Sequence, residues 1–281
     1  VNRRLVPYLL SLPAAAWLTV FFLIPLAGQV ATSLDSGSLL EGGFVFSWHW
    51  RNYADAVTEF GPVFLRSFGY AGAATLLSVL IGYPLAYFIV FRGGRWKMFL
   101  LFPVVVPFLI TYLVRTLSWE ALLSDDGVVL GALKAWHVIG QNAFLLGTSP
   151  AVIFALAYNF LPFTILPIYV SLDRIDRTLL RAAEDLYATP LVAFRKVTFP
   201  LSLPGVFAGS LLTFIPAAGD FVNAMMLGSP QKQMIGNIVQ ARYMDTLDYP
   251  LAAATSLLLM ISLIVCVGLY SRLFGTEELT G

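Results

Sequence analysis

Charged residues divide the chain into six long apolar intervals: 5–34, 67–91, 98–114, 135–172, 197–219 and 249–271. A helix rising 1.5 Å per residue needs roughly 20 apolar residues to cross a hydrocarbon layer about 30 Å thick. The intervals therefore predict six spanning helices, at about 8–32, 67–91, 98–117, 150–172, 204–226 and 249–271. Two of these carry a charge inside the span, Arg115 in the third and Asp220 in the fifth. The first half of 135–172 holds His137, Gln141 and Asn142 and reads as a loop or surface helix. Residues 44–60 suggest an amphipathic outer segment flanking the first span.

The opening sixteen residues combine two arginines, an apolar stretch and small residues at Ala14 and Ala16, the make-up of a cleaved signal. The apolar run continues to Ala31, longer than a signal core, and predicts an uncleaved first span. Basic residues then set the orientation. Only six of the 17 lysines and arginines (Arg51, Arg66, Arg115, Lys134, Lys232 and Arg242) fall on one side. The other side, holding the majority, is the expected cytoplasmic face, with both termini on it.

Composition narrows the class. Of 281 residues, 58% are hydrophobic and 12% charged, against roughly 25% charged in an ordinary soluble domain. The mean hydropathy of +0.80 suits a bilayer as solvent and a single transmembrane domain over 1–281. A net charge of +1 gives no electrostatic case for nucleic acid. One cysteine, Cys266, excludes a disulfide framework. His49 and His137 both lie in predicted outer loops, and no metal or haem set is expected. No polar catalytic set lies within the apolar segments, which argues against an intramembrane hydrolase. No G-x-x-x-x-G-K-[ST] loop occurs, since Gly93-Gly94 before Lys97 lacks the spacing, so the chain holds no nucleotide site of that kind.

The inner loop 173–202 has its own pattern. Leu179, Leu180, Ala183, Leu186 and Tyr187 recur at helical spacing, Asp176 suits an N-cap, and Thr189-Pro190 marks a break. Leu191 to Phe199 forms a second short stretch before Pro200 and Pro204. Two short helices at an angle are expected, either lying on the inner leaflet or serving as a docking knob for a cytoplasmic protein. Their mixed charge fits a protein groove better than a lipid surface.

The segment RAAEDLYATPLVAFRKVTFPLSLPG (181–205) resembles the inner loop of permease subunits of ABC importers. Ala182, Ala183, Asp185, Leu186, Ala188, Pro200, Leu203, Pro204 and Gly205 match its pattern. Arg181 stands where a glutamate is usual and Tyr187 where a glycine is usual, with Glu184 a candidate replacement for the acid. Segments 113–129, 155–176 and 214–230 are similar to the spermidine/putrescine branch in particular. The resemblance implies a type I importer permease fold, all α-helical, in the bacterial cytoplasmic membrane. It implies that residues Arg181 to Ala188 with Pro200, Pro204 and Gly205 couple to an ATPase. The implied partners are a second, similar but different permease chain, an ATPase dimer binding ATP and Mg, an extracytoplasmic substrate-binding protein, and membrane lipid. The chain itself would hold no cofactor.

Pro216 and Gly219 predict an interruption of the fifth span at PAAGD, and Pro162 and Pro167 one in the fourth. Broken helices in transporters commonly line the substrate route. Asp220 is expensive in hydrocarbon unless it meets water, a cation or a partner. Counted from Pro204, it lies about 24 Å up, and Arg115 counted from Met98 about 26 Å. An Arg115–Asp220 ion pair and contact with a substrate ammonium both remain open. Tyr112, Trp119, Glu120, Tyr158, Asn159 and Phe221 complete a candidate pathway, because carboxylates with aromatic faces suit a polyamine's methylenes and ammonium groups. Alternatives to a polyamine importer are a permease for iron, opine or phosphonate, and a carrier driven by an ion gradient.

Overall fold

The computed structural model describes residues 6–38, 42–138, 140 and 142–274, so Arg3, Arg4 and Gln141 lie outside the described residues. It is dominated by helices. Among the described residues five helices are long and apolar enough to span a bilayer: Ser11–Thr32, Arg51–Arg92, Ser149–Asp173, Pro190–Ala218 and Tyr249–Arg272. A sixth arises if the bent pair Gly94–Leu109 and Tyr112–Ala135 counts as one span.

The chain divides into two compact units. The first takes residues up to Pro62 together with Ile238–Ser262. Here α1 (Val6–Leu18) passes through a π-helical turn, Thr19–Leu23, into α2 (Ile24–Thr32). A hairpin of β1 (Asp35–Ser38) and β2 (Gly43–Phe46) follows, antiparallel with Asp35 opposite Phe46. Asn52 donates through Nδ2 to the carbonyls of Ser33 and Asp35, at 2.9 Å each, and pins the hairpin to the start of α3 (Arg51–Arg92). Gln29 of α2 donates to Ser256 of α13 (Tyr249–Phe274) at 2.5 Å. The expected amphipathic segment at 44–60 is formed only in its second half, where Ala56 and Phe60 are buried, Arg51 is exposed and Asp55 is half-exposed. Its first residues are β2, and from Arg51 onward the chain is already α3, continuous with the second span. Charge ends an apolar interval without ending a helix, and Arg51 and Asp55 face each other at i, i+4.

The second unit holds 63–237 and the chain from Leu263. In order it adds α4 (Lys97–Val105), a 3₁₀ turn at Val106–Leu109, α5 (Tyr112–Leu123), α6 (Val128–Ala135) and α7 (Ser149–Asp173). Then come α8 (Arg177–Asp185), α9 (Pro190–Ala193), α10 (Phe199–Ala218), α11 (Val222–Leu227) and the start of α12 (Ile235–Met244). The core forms around α7, where Val152, Ala155, Leu156, Ile165, Ile168 and Leu172 are all fully buried. Helix α7 packs closely against α10. A Cβ on Gly209 would lie 2.8 Å from the Thr164 carbonyl, and one on Gly205 would lie 2.4 Å from Ser171 Cβ. Small residues let the two backbones approach where lipid supplies no hydrophobic drive between helices.

Three expectations about helix breaks are corrected. The third span is not a straight helix over 98–117: it bends by 96° around Ile110 and Thr111, where extended backbone follows the 3₁₀ turn. The rise counted from Met98 to Arg115 therefore does not apply. Pro162 and Pro167 sit within α7 without interrupting it. In the fifth span the interruption expected at PAAGD is present, with the helix running through Pro216 to Ala218 and breaking at Gly219–Phe221. Pro200 and Pro204 likewise do not end the second inner helix, since α9 continues through a π-helical turn at Phe194–Thr198 into α10.

Candidate functional site

The two helix breaks meet in a buried polar hub. Tyr112 opens α5 just after the 110–111 bend, and Asp220 sits in the gap between α10 and α11. The Tyr112 hydroxyl donates to Asp220 Oδ2 and accepts from Asn223 Nδ2. Asp220 Oδ1 accepts the Asn223 backbone N–H at 2.9 Å, so the carboxylate satisfies an orphan donor at the start of α11. Asn159 of α7 donates to Asn223 Oδ1 at 3.0 Å and to Thr116 at 3.4 Å. Thr116 in turn donates to Asn223 Oδ1 at 3.3 Å. Thr116, Asn159 and Asn223 are fully buried, and Asp220 is 8% exposed.

Arg115 is also buried but does not pair with Asp220. Its Nη1 donates to the Asn159 carbonyl at 3.3 Å, and its guanidinium lies 5.4 Å from the Phe108 ring centre and 5.7 Å from that of Tyr112. Arg115 Nε and Asn159 Oδ1 have no hydrogen-bond partner. Of the expected pathway residues, Tyr112, Arg115, Asn159 and Asp220 come together. Trp119 and Tyr158 form a separate edge-to-face pair with centres 5.3 Å apart. Glu120 is half-exposed and Phe221 is exposed. Thr116 and Asn223 were not anticipated. The available signal was Asp220 three residues ahead of Asn223, the spacing of a carboxylate capping a helix start.

The inner loop forms one separate short helix, α8, and after Thr189 the second expected helix, α9, is the start of the helix that runs on into α10. Asp176 caps α8 by accepting the Thr178 N–H at 2.8 Å, a bond that holds its carboxyl below the usual carboxylate range. Arg177 donates to the Val90 carbonyl at 3.2 Å near the end of α3 and lies over the Phe91 ring. Lys97 at the start of α4 pairs with Asp173 at the end of α7, 2.5 Å apart. Arg177 thus ties the elbow to the end of α3, and the Lys97–Asp173 pair ties the start of α4 to the end of α7 from which the elbow emerges.

The end of α8 explains why glycine would suit position 187. Tyr187 has φ +57°, its N–H donates to Glu184 O at 2.9 Å, and the Ala188 N–H donates to Ala183 O at 3.0 Å. This is a Schellman cap, whose left-handed residue is usually glycine. Tyr187 is 95% exposed and Leu186 81%, so both project from the elbow. Arg181, Ala182, Glu184 and Asp185 are exposed on α8. Gly205, expected in the coupling set, is buried in α10 against α7. Pro204 lines an open groove of about 840 Å³ with Leu179 and Leu201.

Membrane-length helices, two of them broken around a polar hub, with a helical elbow between two spans, fit a membrane transport component. The chain belongs to the family of binding-protein-dependent transport system inner membrane components, whose model matches residues 78–275, and is a multi-pass inner-membrane protein. It is similar to the spermidine/putrescine transport system permease protein PotB of Escherichia coli (strain K12), with 33% identity over 259 residues, covering 91% of this chain and 93% of the relative. The PotB of Haemophilus influenzae is 32% identical over 260 residues, covering 92% and 90%. Among solved structures, a bacterial alginate ABC transporter in complex with an alginate pentasaccharide-bound periplasmic protein superposes with a TM-score of 0.71. That match has 17% identity and covers 99% of this chain and 96% of the other, a likeness of fold.

Proposed function

We propose that this chain is a permease subunit of an ATP-driven ABC importer that moves polyamines, spermidine or putrescine, by alternating access. The observation that carries the reading is the 33% identity to a spermidine/putrescine permease over nearly the whole chain. The hub's chemistry is consistent with it: one buried carboxylate among tyrosine and amide groups offers a counter-charge to an ammonium. The chain crosses the membrane six times, the third crossing being the bent pair, and both termini are cytoplasmic. ATP and Mg are held by a partner ATPase dimer, and no covalent chemistry occurs on this chain. A second, similar but different permease chain and an extracytoplasmic binding protein complete the assembly.

In this reading Asp220 is closed off by Tyr112. A cargo ammonium replaces the Tyr112 hydroxyl at the carboxylate when α5 separates from the α10–α11 break. Trp119, Tyr158, Glu120 and Phe221 line the approach, and Arg115 holds the Asn159 carbonyl behind the hub. The elbow from Arg181 to Ala188 seats in the ATPase and passes its closure to α3, α4 and α7 through Arg177, Lys97 and Asp173. Two variants test the two ends separately. Asp220→Asn should cut putrescine uptake while the ATPase still co-purifies, and Ala183→Arg should abolish co-purification. Unchanged uptake by Asp220→Asn removes the hub from the pathway. Uptake by the purified chain alone in vesicles overturns the ATP-driven reading in favour of an ion-coupled carrier.

A further inference from the structure

The segment 231–237 ties α3 to the break that carries Asp220. Arg66 of α3 donates through Nε to the Gln233 carbonyl at 2.7 Å and through Nη1 to the Gln231 carbonyl at 2.8 Å. Its neighbour Ser67 accepts the Ile235 N–H at 2.7 Å. On the other side Asn237 donates through Nδ2 to the Phe221 carbonyl at 2.7 Å, while its Oδ1 accepts the Met234 N–H at 2.9 Å. Gly236 packs so closely that an added Cβ would lie 2.6 Å from the Gly219 carbonyl. Asn237 is 6% exposed and Met234 and Ile235 are fully buried. The Phe221 carbonyl at the break, which also accepts the Met225 N–H at 2.9 Å as α11 begins, thus takes a second donor from this segment, and a backbone that leaves regular helix inside a membrane protein is held by such partners.

We infer that Asn237 is the positioning residue that fixes the helix break, and with it the Asp220 carboxylate, to the outer loop before α12, so that receptor docking on that loop is relayed to the hub. The inference rests on the transport reading of Asp220. A binding protein pressing on 228–234 would shift Gln231 and Gln233 against Arg66 and carry Asn237 with them. The Phe221 carbonyl, one residue from Asp220, would move with the Asn237 amide. In this arrangement the two halves of the Asn237 amide do different work. Oδ1 stabilises the segment itself, and Nδ2 alone reaches the break.

Asn237→Asp separates those tasks, because it keeps the acceptor for Met234 and replaces the donor with an oxygen facing a carbonyl. The variant should be assembled with its partner permease, ATPase and binding protein in lipid nanodiscs. ATP hydrolysis is then measured with and without cargo-loaded binding protein. Losing a buried donor to a carbonyl should lower the stimulated-to-basal ratio roughly tenfold, with basal hydrolysis and subunit stoichiometry retained. A ratio within twofold of the parent overturns the inference, and so does an equal fall in both rates, which marks a purely structural role. If Asn237→Asp fails to assemble, Arg66→Gln decides, with a lowered ratio supporting the relay and an unchanged one rejecting it. Asp220→Asn run alongside tells the two failures apart: normal uptake there sinks the transport reading of the hub, whereas impaired uptake beside a normal Asn237→Asp sinks only the relay.

Discussion

Replacing Tyr187 by glycine should strengthen the elbow and weaken its docking at the same time. Tyr187 holds φ +57°, and a side chain in the left-handed region costs roughly 1–2 kcal/mol. Glycine removes that cost but returns up to about 1 kcal/mol through a more flexible unfolded state. The net gain is about 0.5–1 kcal/mol, and no packing is lost within this chain because the ring is 95% exposed. The Ala188 amide, bonded to Ala183 O at 3.0 Å, should therefore exchange hydrogen about two- to fivefold more slowly. Affinity for the ATPase should move the other way. A tyrosine anchor at an interface contributes more than about 1 kcal/mol, so binding should weaken about tenfold. Hydrogen exchange by mass spectrometry on the elbow peptide, beside titration of the ATPase onto the nanodisc-held chain, reads both effects. Unchanged or faster exchange at Ala188 would refute the strain argument. An ATPase affinity within twofold of the parent would show that the ring does not enter the partner.

Gly209→Ala should destabilise the α7–α10 pair by about 1–3 kcal/mol, because its Cβ meets the Thr164 carbonyl at 2.8 Å. Gly72→Ala, inside α3 with open space around the new Cβ, should instead stabilise the fold by about 0.5–1 kcal/mol in thermal unfolding in detergent. Tyr112→Phe removes the hydroxyl that partners Asp220 and Asn223. Asp220 should then react about tenfold faster with a carbodiimide, read by peptide mass spectrometry, and equal labelling would show that Tyr112 does not guard it. For Asp176 the Thr178 N–H favours the charged carboxylate, so its folded value lies below the ordinary 3.8. Its capping contribution is complete above 3.8 and lost as pH falls through the lowered value. The Thr178 amide should lose protection over that acid range, and Asp176→Asn should flatten the response.

Charge spacing matched the helices where an apolar interval and a helix coincide, as in Ser149–Asp173 and Tyr249–Phe274. It failed where they differ. Arg51, Asp55 and Glu59 lie on the same helix as the second span because water-exposed charges do not stop helix formation, so α3 reaches 42 residues. Prolines were poor guides to breaks. Pro162 and Pro167 are accommodated within α7, while the bend at Ile110 and Thr111 has no proline in it, although Pro107 precedes it. Asp220 and Arg115 stood out because they are charged, and Tyr112 and Asn159 were reached from their neighbourhood. Thr116, Asn223 and Asn237 are neutral, and an uncharged polar residue in an apolar run gives no sign of which distant partner it meets. The inner elbow was legible in detail, since Asp176 and Thr189-Pro190 are local signals that need no tertiary contact.

The central claim is that this chain conducts polyamines under the control of a separate ATPase. ATP hydrolysis by the importer reconstituted with its binding protein, measured across putrescine, spermidine, ferric iron, a phosphonate and an opine, tests it most directly. Stimulation by the two polyamines and by none of the others is the predicted result. Stimulation by an anionic solute or by iron, with polyamines inert, would contradict it.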